Sequence, residues 1–147
     1  MYKRILVPVD GSETSNRALV AALQLARESD GGVRIVHLLD EMIYFTGYEY
    51  SAVVLEEVRK QAQKCVDDAL EMAKAAGVPA DSRLLDVAGA RLGEVVAEQA
   101  RDFDADLVVV GTHGRRGISR VVMGSGAEEV IRLAPVPVLA VRAPEKR

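Results

Sequence analysis

The chain has 147 residues, of which 49% are hydrophobic and 28% charged, and its formal net charge at pH 7 is −3. This length favours one domain over residues 1–147 with its own hydrophobic core, because domains most often contain about 100–150 residues. The negative charge, and the absence of a basic run interleaved with aromatic residues, argue against nucleic acid as a ligand.

The first third of the chain alternates between strand and helix patterns. Residues 5–9 are apolar and rich in branched side chains, which predicts a short buried strand. Asp10, Gly11 and Ser12 follow as a turn, after which apolar residues recur with helical spacing. Ser12 or Thr14 can cap this helix, and residues 30–32 end it. Residues 33–39 are predicted to form the second strand.

A long helix and a charged strand come next. Apolar residues recur with helical spacing over residues 55–76, and Gly77 and Pro79 then end the helix. Residues 82–87 are predicted to form the third strand. Arg83 and Asp86 lie inside that strand, and such charges suit the edge of a sheet better than its centre.

Two strands and two helices complete the chain. Residues 92–100 have the spacing of a third helix, and the unbroken apolar run of residues 107–110 predicts a central strand. A glycine-rich loop then leads into a fourth helix at residues 127–134, which Pro135 ends. Residues 138–141 form the fifth predicted strand, an apolar edge that invites pairing with another chain.

Five strands alternating with four helices predict an α/β fold. We expect a flavodoxin-like or Rossmann-like parallel sheet of order 3-2-1-4-5, with helices on both faces. The winding reverses between strands 1 and 4, and ligands of such folds bind in the crevice at the carboxyl ends of the strands. Asp10 after strand 1 and Gly111 after strand 4 are expected to face each other there.

The stretch from residue 107 to residue 127 carries the candidate chemistry and reads LVVVGTHGRRGISRVVMGSGA. Glycines let backbone N–H groups approach an anion, and a helix start presents unpaired N–H groups with a favourable dipole. Asp10 can accept hydrogen bonds from ribose hydroxyls, although it could instead cap the first helix. A nucleotide site is therefore predicted. Three arginines are interleaved with the glycines, and we expect one of them to reach a phosphate and the others to be solvated. They are Arg115, Arg116 and Arg120.

Two motifs resemble those of the universal stress protein family, and the resemblance covers nearly the whole chain. They are the opening ILVPVDGSE and the spacing Gly111-x2-Gly114-x9-Gly124-Ser125. The second is similar to the signature of the ATP-binding branch, whereas the other branch lacks the glycines and does not bind nucleotide. The resemblance implies a flavodoxin-like fold, a role in stress response, ATP in the crevice with any Mg²⁺ arriving on the nucleotide, and a homodimer through strand 5.

The resemblance also implies roles for individual residues. Those around adenine and ribose would be Pro8, Val9, Asp10 and Leu38. Those following the phosphates would be Gly111, His113, Gly114, Gly124, Ser125 and Gly126. One position departs from the pattern of some ATP-binding members, because Ala127 stands where they carry a hydroxyl residue.

Three functions remain open at this stage. The preferred one is an ATP-binding regulatory module. The second is a slow ATPase or autophosphorylating protein, with His113 as a base and Ser119 or Ser125 as phosphoacceptor. Dedicated catalysis is not expected, because the chain lacks a GxxxxGK[ST] loop and its glycine loop contains no lysine. The third is an interaction dimer with an empty crevice, against which the intact glycine spacing argues.

Several other features have two interpretations. The aromatic residues between Tyr44 and Tyr50 could pack under a loop, but neighbouring acidic residues favour a lid or a surface for an unknown protein partner. The strand from Val136 to Arg142 is the expected dimer surface. His37 is expected to be a hydrogen-bonded core residue and Cys65 an inert buried thiol. Two histidines and one cysteine without clustered spacing predict no metal site.

Cysteine usage and apolar run lengths bear on location. The single cysteine excludes an internal disulfide and fits a reducing compartment. No apolar run approaches the ~20 residues of a membrane span, and the apolar run near the N-terminus is too short for a signal peptide. A cytoplasmic protein without membrane insertion is therefore expected.

Overall fold

Strands and helices alternate along the chain in the computed structural model, which describes residues 1–39, 52–87, 89–112 and 125–142. In chain order the elements are β1 Arg4–Pro8, α1 Glu13–Ser29, β2 Gly32–Leu39, α2 Ala52–Ala75, β3 Ala80–Asp86, α3 Leu92–Asp102, β4 Leu107–Gly111, α4 Ser125–Leu133 and β5 Val138–Val141. Every predicted element is present, and the differences lie at the ends.

Four predicted boundaries are wrong by two or three residues: α3 ends at Asp102 rather than at residue 100, α4 begins at Ser125 rather than at residue 127, and the starts of β3 and α2 also differ. β3 begins at Ala80 rather than Ser82, because its first residue already pairs with Val33 of β2. The helix expected from residue 55 begins at Ala52. Its first turn carries Val53, which is 75% exposed, so the helical spacing of buried residues starts only after that turn.

The five strands form one sheet in the order β3-β2-β1-β4-β5, and all four pairings are parallel. This confirms the predicted order. The charged strand β3 lies at one edge, and the wholly apolar β4 lies between β1 and β5. The winding therefore reverses between β1 and β4, which places a ligand crevice at their carboxyl ends.

Alternation of side chains divides the core into two layers. Ile5 and Val7 of β1 pack with residues of α1 and α2 on one face of the sheet. Leu6 points to the other face and packs with residues of α3 and α4. Because successive strand residues point to opposite faces, the apolar run of β1 serves both layers, and helices cover both faces as predicted.

His37 and Cys65 meet beside the end of β1. The His37 Nδ1 atom lies 2.6 Å from the carbonyl oxygen of Val9, which confirms a hydrogen-bonded histidine, although the residue is only half-buried. The Cys65 Sγ atom lies 3.9 Å from the same nitrogen. The prediction of a fully buried thiol is wrong, because Cys65 is half-buried and flanks the buried stripe of α2 formed by Ala62, Val66, Ala69 and Ala73.

An ion-pair cluster centred on Arg34 joins β2, β3 and the end of α3. Arg34 is 7% exposed, and its Nε and Nη2 atoms donate to the two Asp81 oxygens at 3.0 Å each. Its Nη1 atom donates to Asp102 Oδ2 at 3.0 Å, and its guanidinium carbon lies 4.6 Å from the centroid of the Phe103 ring. The sequence analysis did not find this cluster, because its members are far apart along the chain.

The cluster predicts a specific dependence of stability on pH. The hydrogen bonds from Arg34 hold the pKa of Asp81 below its ordinary value of 3.8. A carboxyl group whose pKa is lower in the folded than in the unfolded protein stabilises the folded state. This contribution is complete at pH values above the unfolded-state pKa, and it is lost as the pH falls through the folded-state pKa. We expect Asp81→Asn to lose less stability than the wild type between pH 7 and pH values below about 4, as measured by urea unfolding.

The expected difference is below about 1 kcal/mol, because the Asp81 side chain is 46% exposed and solvent screens the pair. Asp104→Asn is the matched control. Asp104 is exposed and has a φ of 52°, a left-handed conformation that asparagine also adopts. An Asp81→Asn profile that parallels the wild-type profile over this range would contradict the assignment.

Candidate functional site

The ends of β1 and β4 and the starts of α1 and α4 lie at one edge of the sheet. Both strands are parallel, so their carboxyl ends share an edge. Each helix connects two parallel strands and must run back across the sheet, so it begins at that same edge. Asp10 follows β1, Gly111 ends β4, and Ser125 begins α4 there.

Hydrogen bonds within the chain order the turn between β1 and α1. The Asp10 Oδ1 atom accepts from the Ser12 N–H at 2.9 Å, and the Asp10 N–H donates to the Ser15 Oγ atom at 3.0 Å. Ser12 is the cap of α1, because its Oγ atom accepts from the Ser15 N–H at 3.2 Å. The alternative that Asp10 caps α1 is therefore wrong, because Ser12 holds the cap and Asp10 orders the turn before it. Contact between Asp10 and a ribose stays a prediction.

Gly111 is the point at which α1 approaches the end of β4. A Cβ atom on Gly111 would lie 2.8 Å from the Thr14 carbonyl oxygen and 3.1 Å from the Ser15 nitrogen, both of them backbone atoms. Only glycine allows the first turn of α1 to pack this closely. The role predicted for Gly111 from the sequence is close approach of the backbone to a phosphate, and the structure adds this packing role. The close approach also brings the Asp10 turn beside the end of β4.

The starts of α3 and α4 are joined by a second close contact. The Gly93 N–H donates to the Glu129 Oε1 atom at 2.7 Å, so a carboxylate of α4 is the acceptor at the start of α3. A Cβ atom on Gly93 would meet the Glu129 side chain and would lie 2.8 Å from the Glu129 carbonyl oxygen. Neither residue was singled out from the sequence, because they are 36 positions apart.

Gly126 and Ala127 show which way the first turn of α4 faces. A Cβ atom on Gly126 would lie 3.0 Å from the Leu92 Cδ2 atom, so this position faces the start of α3. The Ala127 side chain is buried in the apolar layer that includes Val110 and Val130. A hydroxyl residue at position 127 would thus be placed in that layer. Contact between a phosphate and the Gly126 backbone stays a prediction.

The residues predicted around adenine and ribose lie near the carboxyl ends of β1 and β2. Pro8 and Val9 are buried, and the Val9 N–H donates to the Val36 carbonyl oxygen at 2.8 Å. Leu38 is half-buried and pairs with Leu85 in the sheet. Asp10 is half-buried. The structure thus brings these positions to the edge that carries Gly111, Ser125 and Gly126.

Part of the predicted site lies outside the described residues. This holds for the phosphate-loop residues His113, Gly114 and Gly124, and for the loop arginines, Gly117 and Ser119. It also holds for the aromatic segment from Tyr44 to Tyr50. The structure describes Ser125 only as the first residue of α4.

The described residues show neither a cluster of metal ligands nor a membrane-spanning helix. Residues 1–39, 52–87, 89–112 and 125–142 contain no group of three or more histidine, cysteine, aspartate or glutamate residues that could hold a metal ion. None of the helices in these ranges combines the length and apolar character needed to cross a membrane.

Comparison with known proteins gives one consistent result. The family model described as "Universal stress protein family" matches residues 1–142. Universal stress protein MJ0531 of Methanocaldococcus jannaschii is 34% identical over 149 residues, which cover 99% of this chain and 85% of that protein.

Two similar solved structures hold adenine nucleotides. A universal stress protein from Archaeoglobus fulgidus in complex with dAMP is 27% identical, with a TM-score of 0.71 and coverage of 95% of this chain and 98% of that one. A universal stress protein in complex with cAMP is 28% identical, with a TM-score of 0.70 and coverage of 99% of both chains.

Proposed function

The chain belongs to the universal stress protein family, and from this premise we propose that it binds ATP with Mg²⁺ in the crevice between the ends of β1 and β4. The bound nucleotide would set a regulatory state of the protein that a partner reads. The observation that carries the proposal is the convergence of the Asp10 turn, Gly111 and the start of α4 at the point where the winding of the sheet reverses.

Asp10 has acceptor capacity for a sugar. A carboxylate offers about four acceptor positions, and the bond from the Ser12 N–H at 2.9 Å uses one of them. Ribose hydroxyls are donors that match the remaining positions. The dAMP and cAMP complexes of the two relatives support an adenine nucleotide as the ligand class.

The helix starts at this edge differ in what they already hold. The start of α1 has the Ser12 side chain as acceptor and the Asp10 carboxylate beside it. The start of α3 has the Glu129 carboxylate. Because a helix start attracts an anion through its free N–H groups and dipole, and the Gly124-Ser125 pair leads into α4, we assign the nucleotide phosphates to the start of α4.

The regulatory role and the assembly are parts of this proposal. β5 pairs with β4 on one side, and its Leu139 is 40% exposed, which supports a homodimer through residues Val136 to Arg142. A cytoplasmic location stays a prediction. Two alternative functions remain. One is slow ATP hydrolysis or autophosphorylation, and the other is an interaction dimer that binds no nucleotide.

Calorimetric titration with ATP and Mg²⁺ tests the proposal. We expect a micromolar Kd for the wild type and roughly tenfold weaker binding for Asp10→Asn, because a charge-assisted hydrogen bond to ribose becomes a neutral one. The asparagine Oδ1 atom can still accept from the Ser12 N–H, so the start of α1 is retained. Asp104→Asn is the control for a distant aspartate.

The outcomes separate the three candidate functions. Chromatography of the nucleotide over several hours shows whether bound ATP is converted. Binding without conversion supports the regulatory module. Steady release of ADP, or transfer of phosphate to the protein, supports the second candidate. Absence of binding by the wild type to ATP, AMP and cAMP overturns the proposal and leaves the interaction dimer.

A further inference from the structure

Thr112 is a buried threonine at the carboxyl end of β4. Its N–H donates to the Val141 carbonyl oxygen at 3.0 Å, so the hydrogen-bond pattern between β4 and β5 continues one residue beyond Gly111. The residue is 5% exposed. Its Oγ1 atom is buried and has no hydrogen-bond partner among the described residues. This hydroxyl is a donor and an acceptor that the described part of the chain leaves without a counterpart.

Alternation along β4 determines the face on which this hydroxyl lies. Val108 and Val110 belong to the layer that packs against Ala127 and Val130 of α4. Thr112 is two residues after Val110, in a backbone that still pairs with β5, so its side chain lies on the same face. It is also nearer to the carboxyl edge, where α4 begins. The hydroxyl therefore lies on the face of the sheet that α4 covers, toward the edge where α4 begins.

A buried hydroxyl without a partner destabilises the protein, and a partner supplied by a ligand would remove that penalty. The N–H groups of a helix start attract oxyanions. A phosphate oxygen at pH 7 is an acceptor, which matches the donor capacity of the hydroxyl. Of the two carboxylates in the first half of α4, that of Glu129 already accepts from the Gly93 N–H. Glu128 lies in the first turn of α4 and is exposed.

We propose that the Thr112 hydroxyl determines ligand specificity at this site by donating a hydrogen bond to a phosphate oxygen of the nucleotide bound at the start of α4. This inference rests on the proposed nucleotide binding and adds a side-chain contact that favours phosphorylated ligands over nucleosides. The ligand class it selects is a nucleoside phosphate whose phosphate chain reaches the first turn of α4.

The test uses two substitutions of nearly equal size. Thr112→Val replaces the hydroxyl by a methyl group, and Thr112→Ser keeps the hydroxyl. Calorimetry at fixed salt measures the Kd of each protein for ATP with Mg²⁺, for AMP and for adenosine. Thermal unfolding without nucleotide measures the stability of each free protein.

We expect opposite effects on the free and bound states. Free Thr112→Val should unfold at the wild-type temperature or above, because the substitution removes an unsatisfied hydroxyl. Its Kd for ATP should rise roughly tenfold while its Kd for adenosine stays unchanged. Thr112→Ser should bind ATP with nearly the wild-type Kd. A hydroxyl with only a structural role would not produce this split between ATP and adenosine.

Three results would overturn the inference. The first is that Thr112→Val binds ATP with the same Kd as the wild type. This result would leave the proposed nucleotide binding unaffected. The second is an equal loss of affinity for ATP and adenosine. The third is a free Thr112→Val protein that unfolds well below the wild type, which shows a hydroxyl already bonded within the free protein. Failure of the wild type to bind any nucleotide is a distinct result, and it overturns the proposed function together with this inference.

Discussion

Gly111→Ala is expected to lower the free energy of unfolding by about 2–3 kcal/mol, the upper part of the range for inserting atoms into a well-packed interior. The new Cβ atom would lie 2.8 Å from the Thr14 carbonyl oxygen and 2.9 Å from the Thr14 carbonyl carbon. These are backbone atoms in the first turn of α1, so no side chain can rotate out of the way. Either α1 shifts or the end of β4 does. Urea unfolding at pH 7 measures the loss.

Gly126→Ala is the matched control, at the glycine that directly follows the same motif. Its Cβ atom would lie 3.0 Å from the Leu92 Cδ2 atom, which is the end of a flexible side chain. Alanine in a helix is also favoured over glycine by roughly 0.5–1 kcal/mol. We expect Gly126→Ala to stay within about 1 kcal/mol of the wild type. Equal stability of Gly111→Ala and the wild type would contradict the close approach of α1.

The packing role of Gly111 affects how a loss of ATP binding in a glycine-motif variant is interpreted. Gly111 supports the Asp10 turn through packing, because it admits the first turn of α1. A Gly111 variant that fails to bind ATP could therefore have lost the position of the Asp10 turn rather than a phosphate contact. Binding should be compared only at temperatures where unfolding curves show each variant to be folded.

The arrangement of the sheet could be predicted because it depends on local composition. Charges at Arg83 and Asp86 indicated an edge strand, and the apolar run of β4 indicated a central one. The alternation of strands and helices, with right-handed crossovers, then left few possible orders. This order by itself predicts that Asp10 and Gly111 lie at one edge of the sheet. The Ser12 cap was also predictable, because a cap is a contact between near neighbours.

Contacts between distant residues could not be predicted in the same way. Arg34 stands within an apolar strand pattern, and its partners Asp81 and Asp102 follow 47 and 68 positions later. Nothing in the spacing of these residues indicates that they meet. The sequence also gives no sign that the Thr112 hydroxyl lacks a hydrogen-bond partner among the described residues. That property depends on all the groups packed around the hydroxyl. Such contacts follow from the three-dimensional packing of elements, which single-sequence periodicity does not specify.

Gly93→Ala is the second substitution with a large expected effect, a loss of about 2–4 kcal/mol in the free energy of unfolding. The new Cβ atom would overlap the Glu129 side chain and would lie 2.8 Å from the Glu129 carbonyl carbon and oxygen. The starts of α3 and α4 would have to separate. Because the start of α4 is the proposed phosphate site, we also expect weaker ATP binding at temperatures where the variant is folded. Urea unfolding and calorimetry measure the two effects.

Substitutions of Glu129 distinguish the backbone contact from the hydrogen bond. Glu129→Gln keeps an acceptor for the Gly93 N–H and should cost less than about 1 kcal/mol, whereas Glu129→Ala loses that acceptor and should cost about 1 kcal/mol. The double variant Gly93→Ala with Glu129→Ala should remain nearly as unstable as Gly93→Ala alone, because the Glu129 carbonyl group stays in place. Full recovery of stability in the double variant would show that only the side chain obstructs residue 93. The approach of α3 and α4 would then be looser than the 2.8 Å contact requires, and α4 would be positioned mainly by its apolar face.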